Sequence, residues 1–207
     1  MSVNSELRDH RREVAERNLA AILDAAERLL ERGTPATVSA VAAEAGLSRV
    51  TVYAHFPTRD GVLEAMVERA VRTSAAEIDA AGLDDGSAAD ALDRLVALGW
   101  RALDRHHAIA RAAAEQLSSH TVRHLHGSAL SMVRRLVDRG RDEGCFRIDL
   151  PPEWLVASSL ALVHTAADEV RAGRLQPAAA ATVLGTTLRD LFLAQSPERE
   201  KNQLTRE

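Results

Sequence analysis

Between Ala45 and Arg59 the chain carries no acidic residue, yet Arg49, His55 and Arg59 stand within that window. Two guanidinium groups and an imidazole in so short a stretch suit a polyanion, because each donates hydrogen bonds to phosphate. A planar guanidinium can also donate to guanine O6 and N7 together. The concentration is local. Residues 1–72 hold ten arginines against eleven acids, and the whole chain has a formal net charge of -4. Nucleic-acid binders normally show a broad basic footprint. Its absence means that a DNA site here is small and sharply placed.

Other chemistry is thinly represented. His120 and His124 stand one helical turn apart, the spacing two imidazoles need to share a metal, but no third ligand lies nearby and no Glu-x-x-His occurs. A solvated pair is the simpler reading. No glycine-rich phosphate loop is present and the single lysine is Lys201, so neither an enzyme nor a bound cofactor is expected. Cys145 is the one cysteine, which rules out an intramolecular disulfide. The first seventeen residues lack the apolar core of a secretory signal, so a cytoplasmic protein is expected.

The elements that must position the window read as helices throughout. Leu19, Ile22, Leu23, Ala26, Leu29 and Leu30 form one stripe at three- and four-residue spacing, ended by Gly33 and Pro35. Thr37 is a suitable N-cap for a short helix over 38–45, and Gly46 ends it where a positive φ is needed. Ser48 caps a third helix over 49–55, closed by Pro57, and Thr58 caps a long fourth one. Gly82 to Ser87 is the clearest loop. Ser87 with Asp90 resembles a capping box, and further helices follow on the stripes Leu92–Leu103, Val122–Val137, 154–170 and 178–194. The expected fold is all-α, with about nine helices.

The run from Thr37 to Leu63, TVSAVAAEAGLSRVTVYAHFPTRDGVL, resembles the N-terminal signature of the tetracycline-repressor (TetR) family. That resemblance implies a three-helix helix-turn-helix head whose last helix enters the major groove. It also implies roles for named positions. Arg49 would read guanine, Val50 and Thr51 would meet a thymine methyl or a base edge, and Tyr53 and His55 would contact phosphate. Thr37, Ser48 and Arg59 sit at helix N-termini, which attract phosphate, and Ser39 would reach base or backbone from the bracing helix. Arg59 replaces the lysine usual there. Val41, Ala42, Val52 and Ala54 should only pack, and Phe56 should point inward.

From Gly86 to Gln195 the chain resembles the family more weakly, as a C-terminal helical domain that binds a small molecule and dimerises. From Trp154 to Val170 the only charges are Asp168 and Glu169, and from Ala178 to Ala194 only Arg189 and Asp190. Such helices must be covered on more than one face, most simply by the same pair from a second copy. Hydroxyl-bearing residues and His164 argue against a membrane hairpin. Trp100, His126, Met132 and His164 lie on apolar or charge-poor stretches of separate helices and suit either one effector pocket or plain core. The expected organisation is a flexible segment over 1–17, a DNA-binding domain over 18–75, an effector-binding and dimerisation domain over 76–195, and a flexible tail over 196–207. The resemblance implies a homodimeric repressor on a palindromic double-stranded operator, released by a small-molecule effector, with no membrane partner.

Overall fold

The computed structural model of the chain describes residues 3–194, apart from the side chains of residues 3–7 and Arg59; the expected tail over 196–207 lies outside the described residues. The described elements are α1 (Val3–Glu31), α2 (Val38–Ala45), α3 (Arg49–His55), α4 (Arg59–Ala80), α5 (Ala88–Arg105), α6 (His107–Gln116), α7 (Ser119–Leu125), α8 (Gly127–Asp142), α9 (Pro152–Arg171) and α10 (Pro177–Phe192). The one β feature among them is an isolated bridge between Phe146 and Leu193. No helix among the described residues is long and apolar enough to cross a membrane.

Two helical boundaries differ from expectation. The stretch before Leu19 is continuous with α1, because no glycine or proline interrupts 3–31 and Arg12 pairs with Glu16 one turn on at 2.8 Å. The single long helix expected through Val122 and Val137 is two. It breaks at His126, the N-cap of α8, immediately before Gly127, whose helix propensity is about 1 kcal/mol below alanine's.

The chain forms two compact units: Met1–Ala70 with His106–Leu125, and Val71–Arg105 with His126–Glu207. These interleave in sequence where a contiguous division at 75/76 was expected. The reason lies in α6, whose face of Ala108, Ile109, Ala112 and Ala113 is buried and which packs on α1. In the same unit the apolar stripe of α1, including Ile22, Leu23, Ala26 and Leu30, is buried with Val41, Val52, Val62 and Met66. Arg69 of α4 ties to α1 through Asp24 at 2.5 Å and Glu27 at 2.7 Å.

In the second unit α5 packs on α8 and α10, and α9 packs on the same two, closing a four-helix arrangement. Its core includes Leu92, Met132, Val137, Leu155, Leu184 and Phe192. The Ser87 capping box forms as expected: the Asp90 N–H donates to Ser87 Oγ at 3.1 Å and the hydroxyl donates to the Asp90 carboxylate at 2.7 Å. After α8 the chain doubles back, so that the Cys145 and Phe146 N–H groups both donate to the Gly140 carbonyl at 3.0 and 2.9 Å. Phe146 then meets Phe192 edge to face, with ring centroids 5.5 Å apart.

Gly140 is required by this return, since a Cβ there would run into the Phe146 ring. Gly140→Ala gains roughly 1 kcal/mol of helix propensity but overpacks a closed site, at about 1–3 kcal/mol. The expected result is a net loss of stability. Thermal denaturation should show Tm falling by about 2–4 °C for each kcal/mol lost.

Candidate DNA interface

The turn between α2 and α3 is built from local hydrogen bonds. Thr37 caps α2, its Oγ1 accepting from the Ala40 N–H at 3.2 Å. Gly46 adopts the left-handed conformation (φ 67°), which lets the Leu47 N–H donate back to the Ala42 carbonyl at 2.9 Å and turns the chain sharply. Ser48 caps α3, accepting from the Thr51 N–H at 3.0 Å, and its hydroxyl lies 2.8 Å from the Thr51 hydroxyl. Thr58 caps α4 by accepting from the Gly61 N–H at 3.0 Å. All four expected cap or turn residues therefore act as such.

Packing fixes which face of α3 is free. Val52 is fully buried and Phe56 is buried behind it, while Val41 and Ala42 of α2 are buried too. The opposite face carries Arg49, Val50, Tyr53 and Ala54, all exposed. Ala54 corrects the expectation that it only packs: it follows Val50 by one turn and so shares its face. Val50 is 78% exposed and Tyr53 is 53% exposed. An isolated valine so exposed at the start of a short helix suits apolar contact with a base-edge methyl.

Among the described residues Arg49 makes no ion pair, so its fork of donors is unspent. Arg28 and Arg32, by contrast, are committed to Glu44 of α2 at 2.9 and 2.7 Å. Their hydrogen bonds hold the Glu44 carboxyl below the usual carboxylate range. Of the two acids bordering the window, Glu44 and Asp60, the first is thus neutralised by α1. Sequence reading passed over this clamp, although Arg28 and Arg32 sit one turn apart and both precede Glu44.

Thr37, Ser39 and Ser48 are exposed, and Thr51 and His55 are half-buried. His55 lies beside Phe56, with ring centroids 6.5 Å apart. Arg59 opens α4, and its side chain lies outside the described residues. The structure thus brings the expected residues onto one short helix, its bracing helix and three helix N-termini. The hydroxyls of Thr37, Ser48 and Thr51 are engaged in local hydrogen bonds of the caps and turn.

The four expected effector residues all fall in the second unit. Met132 is buried in its core and Trp100 is partly buried against it. His126 and His164 meet edge to face, with ring centroids 5.5 Å apart. Burial, and then the neighbouring His126, push the His164 imidazole below its usual value. His120 and His124 are both exposed on α7, and no group of three or more His, Cys, Asp or Glu among the described residues could hold a metal.

With this geometry, Tyr53→Phe removes one hydroxyl from an exposed position while keeping the ring. Affinity should fall nearly uniformly across DNA sequences, by about 0.5–1.5 kcal/mol. Fluorescence anisotropy on a panel of duplexes checks this; a changed base preference is the contrary result.

Residues 22–66 match the model of the bacterial regulatory proteins of the tetR family. No curated protein matches the chain in sequence. Solved structures match in fold. FadR of Bacillus subtilis, in complex with stearoyl-CoA, is 14% identical with a TM-score of 0.70, over 83% of this chain and 98% of that one. A TetR-family regulator from Rhodococcus sp. is 22% identical with a TM-score of 0.67, over 86% and 100%. The TetR-like regulator LfrR of Mycobacterium smegmatis, in complex with proflavine, is 22% identical with a TM-score of 0.61, over 87% and 98%. Residues 22–66 place the head of this chain in the tetR family of bacterial regulatory proteins, and the chain as a whole has the fold of that family, whose members are transcription regulators rather than enzymes.

Proposed function

We propose that this protein is a cytoplasmic, ligand-responsive repressor that binds a palindromic operator as a homodimer and is released by a small-molecule effector. The observation that carries the DNA part is the free face of α3, where Arg49, without an ion pair among the described residues, stands beside exposed Val50 and Tyr53 and the bordering Glu44 is neutralised. Arg49, Val50 and Thr51 meet base edges. Thr37, Ser39, Ser48, Tyr53, His55 and Arg59 hold phosphate and so fix the register of α3 in the groove.

Support for the dimer comes from α9 and α10. Trp154, Ala161 and Thr165 are exposed along α9, and Thr182, Val183, Thr186 and Thr187 along α10, with no charge among them. Trp154 is 58% exposed and Val183 47%. A second copy of the same face would remove both from water and place two recognition helices on one operator. Half-sites about one helical turn apart follow from that two-fold symmetry.

Support for an effector comes from the second unit, where His126 meets His164 and where Met132 and Trp100 belong to the apolar core, and from similar folds solved with stearoyl-CoA and with proflavine. The effector acts by binding more tightly to the dimer whose heads are wrongly spaced for DNA. Selection of bound sequences from random DNA tests the reading. Enrichment of an inverted repeat is the expected result, and an asymmetric site or none overturns it.

A further inference from the structure

The break between α7 and α8 places His126 at the point where the chain passes from the first unit into the second. Its ring lies edge to face against His164 of α9, at 5.5 Å between centroids and 79° between planes. His164 Nε2 is buried without a hydrogen-bond partner. A neutral ring tolerates this with Nε2 as the unprotonated nitrogen. A protonated one carries N–H on both nitrogens, and one donor would be stranded.

Little near the pair would welcome a charge. On His164's own helix, Asp168 favours protonation and Arg171 opposes it, and the two are ion-paired with each other. On α8 no other ionisable residue occurs between His126 and Val133, and on α10 none occurs between Pro177 and Leu188. His126 stands between the last residue of α7 and the first of α8, at the α8 N-cap and without a side-chain cap hydrogen bond. Burial and His126 both hold the His164 imidazole below its usual value.

We propose that the His126–His164 contact is a proton-operated latch: uncharged, the two rings hold the start of α8 against α9, and protonation at mildly acidic pH releases them and weakens operator binding. The operator arm rests on the function proposed above; the latch itself does not. The unfolded chain binds the proton at a higher pH than the folded one, so stability falls as pH drops through the ordinary histidine value of about 6.5 towards the lower folded value.

The test compares wild type with His126→Gln and His164→Gln at pH 7.5 and 5.5, each protein against its own value at pH 7.5. The remaining histidines are common to each pair and cancel. Wild type should lose about 2–4 °C more Tm on acidification than either variant. Its operator affinity should fall about fivefold further. Imidazole NMR on wild type should show His164 titrating below the ordinary histidine value, a readout that survives if a variant fails to fold. Parallel Tm curves, or His164 titrating at or above the ordinary value, overturn the latch. Divergent Tm curves with parallel affinity curves overturn its link to DNA. Absence of operator binding at either pH overturns the repressor reading while the Tm and NMR arms still decide the latch.

Discussion

Arg49→Ala is expected to weaken binding to the preferred operator by about 1–3 kcal/mol per half-site more than binding to random DNA. The arginine is exposed at the first position of α3, free of ion pairs among the described residues, and held there by the Ser48 cap. A guanidinium so placed gives up rotamer freedom on meeting a guanine, but its planar fork satisfies two acceptors at once. Alanine leaves those acceptors to water and removes a charge. The charge contributes equally on any sequence and the paired hydrogen bonds do not, so the ratio of specific to random binding is the quantity to measure. In the proposed dimer the residue is used twice, so the two half-site losses combine. Equal losses on both DNAs would reassign Arg49 to the phosphates.

The second large effect is expected from charge placed on the face of α9 and α10. The apolar side chains of Ala161 and Val183 are exposed there, so Ala161→Arg and Val183→Arg should leave each subunit's core intact. Across a two-fold axis each substitution brings in two cations, and neither helix offers a carboxylate between Glu153 and Asp168 or between Pro177 and Leu188. Burying an unpaired charge costs several kcal/mol, enough to dissociate the pair at micromolar concentration. Sedimentation should then show monomers. Operator affinity should fall by about 10²-fold or more, because the second head no longer benefits from the first. A variant that stays dimeric would move the interface elsewhere.

What the sequence made legible was what local chemistry decides. Thr37, Gly46, Ser48, Thr58 and the Ser87–Asp90 pair each announce a cap or turn through their own side chain or lack of one, and each forms. The buried and exposed faces of α3 followed from the pattern around Val52 and Phe56, except at Ala54. A methyl group is too small to reveal whether it packs.

Long-range choices were harder to read. Nothing near Ala108 or Ile109 says that α6 is buried with the first unit rather than with the helices next to it in sequence. The clamp of Arg28 and Arg32 on Glu44 depends on how α1 crosses α2, which no periodicity encodes. The break at His126 was hidden because Val122 through Val137 keeps helical spacing across Gly127. The Phe146–Phe192 contact joins residues far apart in the chain and has no local trace.

The interleaving of the two units bears on how such proteins can be cut and recombined. A peptide ending at residue 75 would carry the whole of α3 but leave bare the face of α1 that α6 covers. It would be a poor stand-alone reader of DNA, prone to self-association through that stripe. A transplanted head needs residues 106–125 to travel with it, as a second segment spliced into the recipient between α5 and α8. Exchange between distant relatives by a single crossover should therefore fail more often than the shortness of the motif suggests.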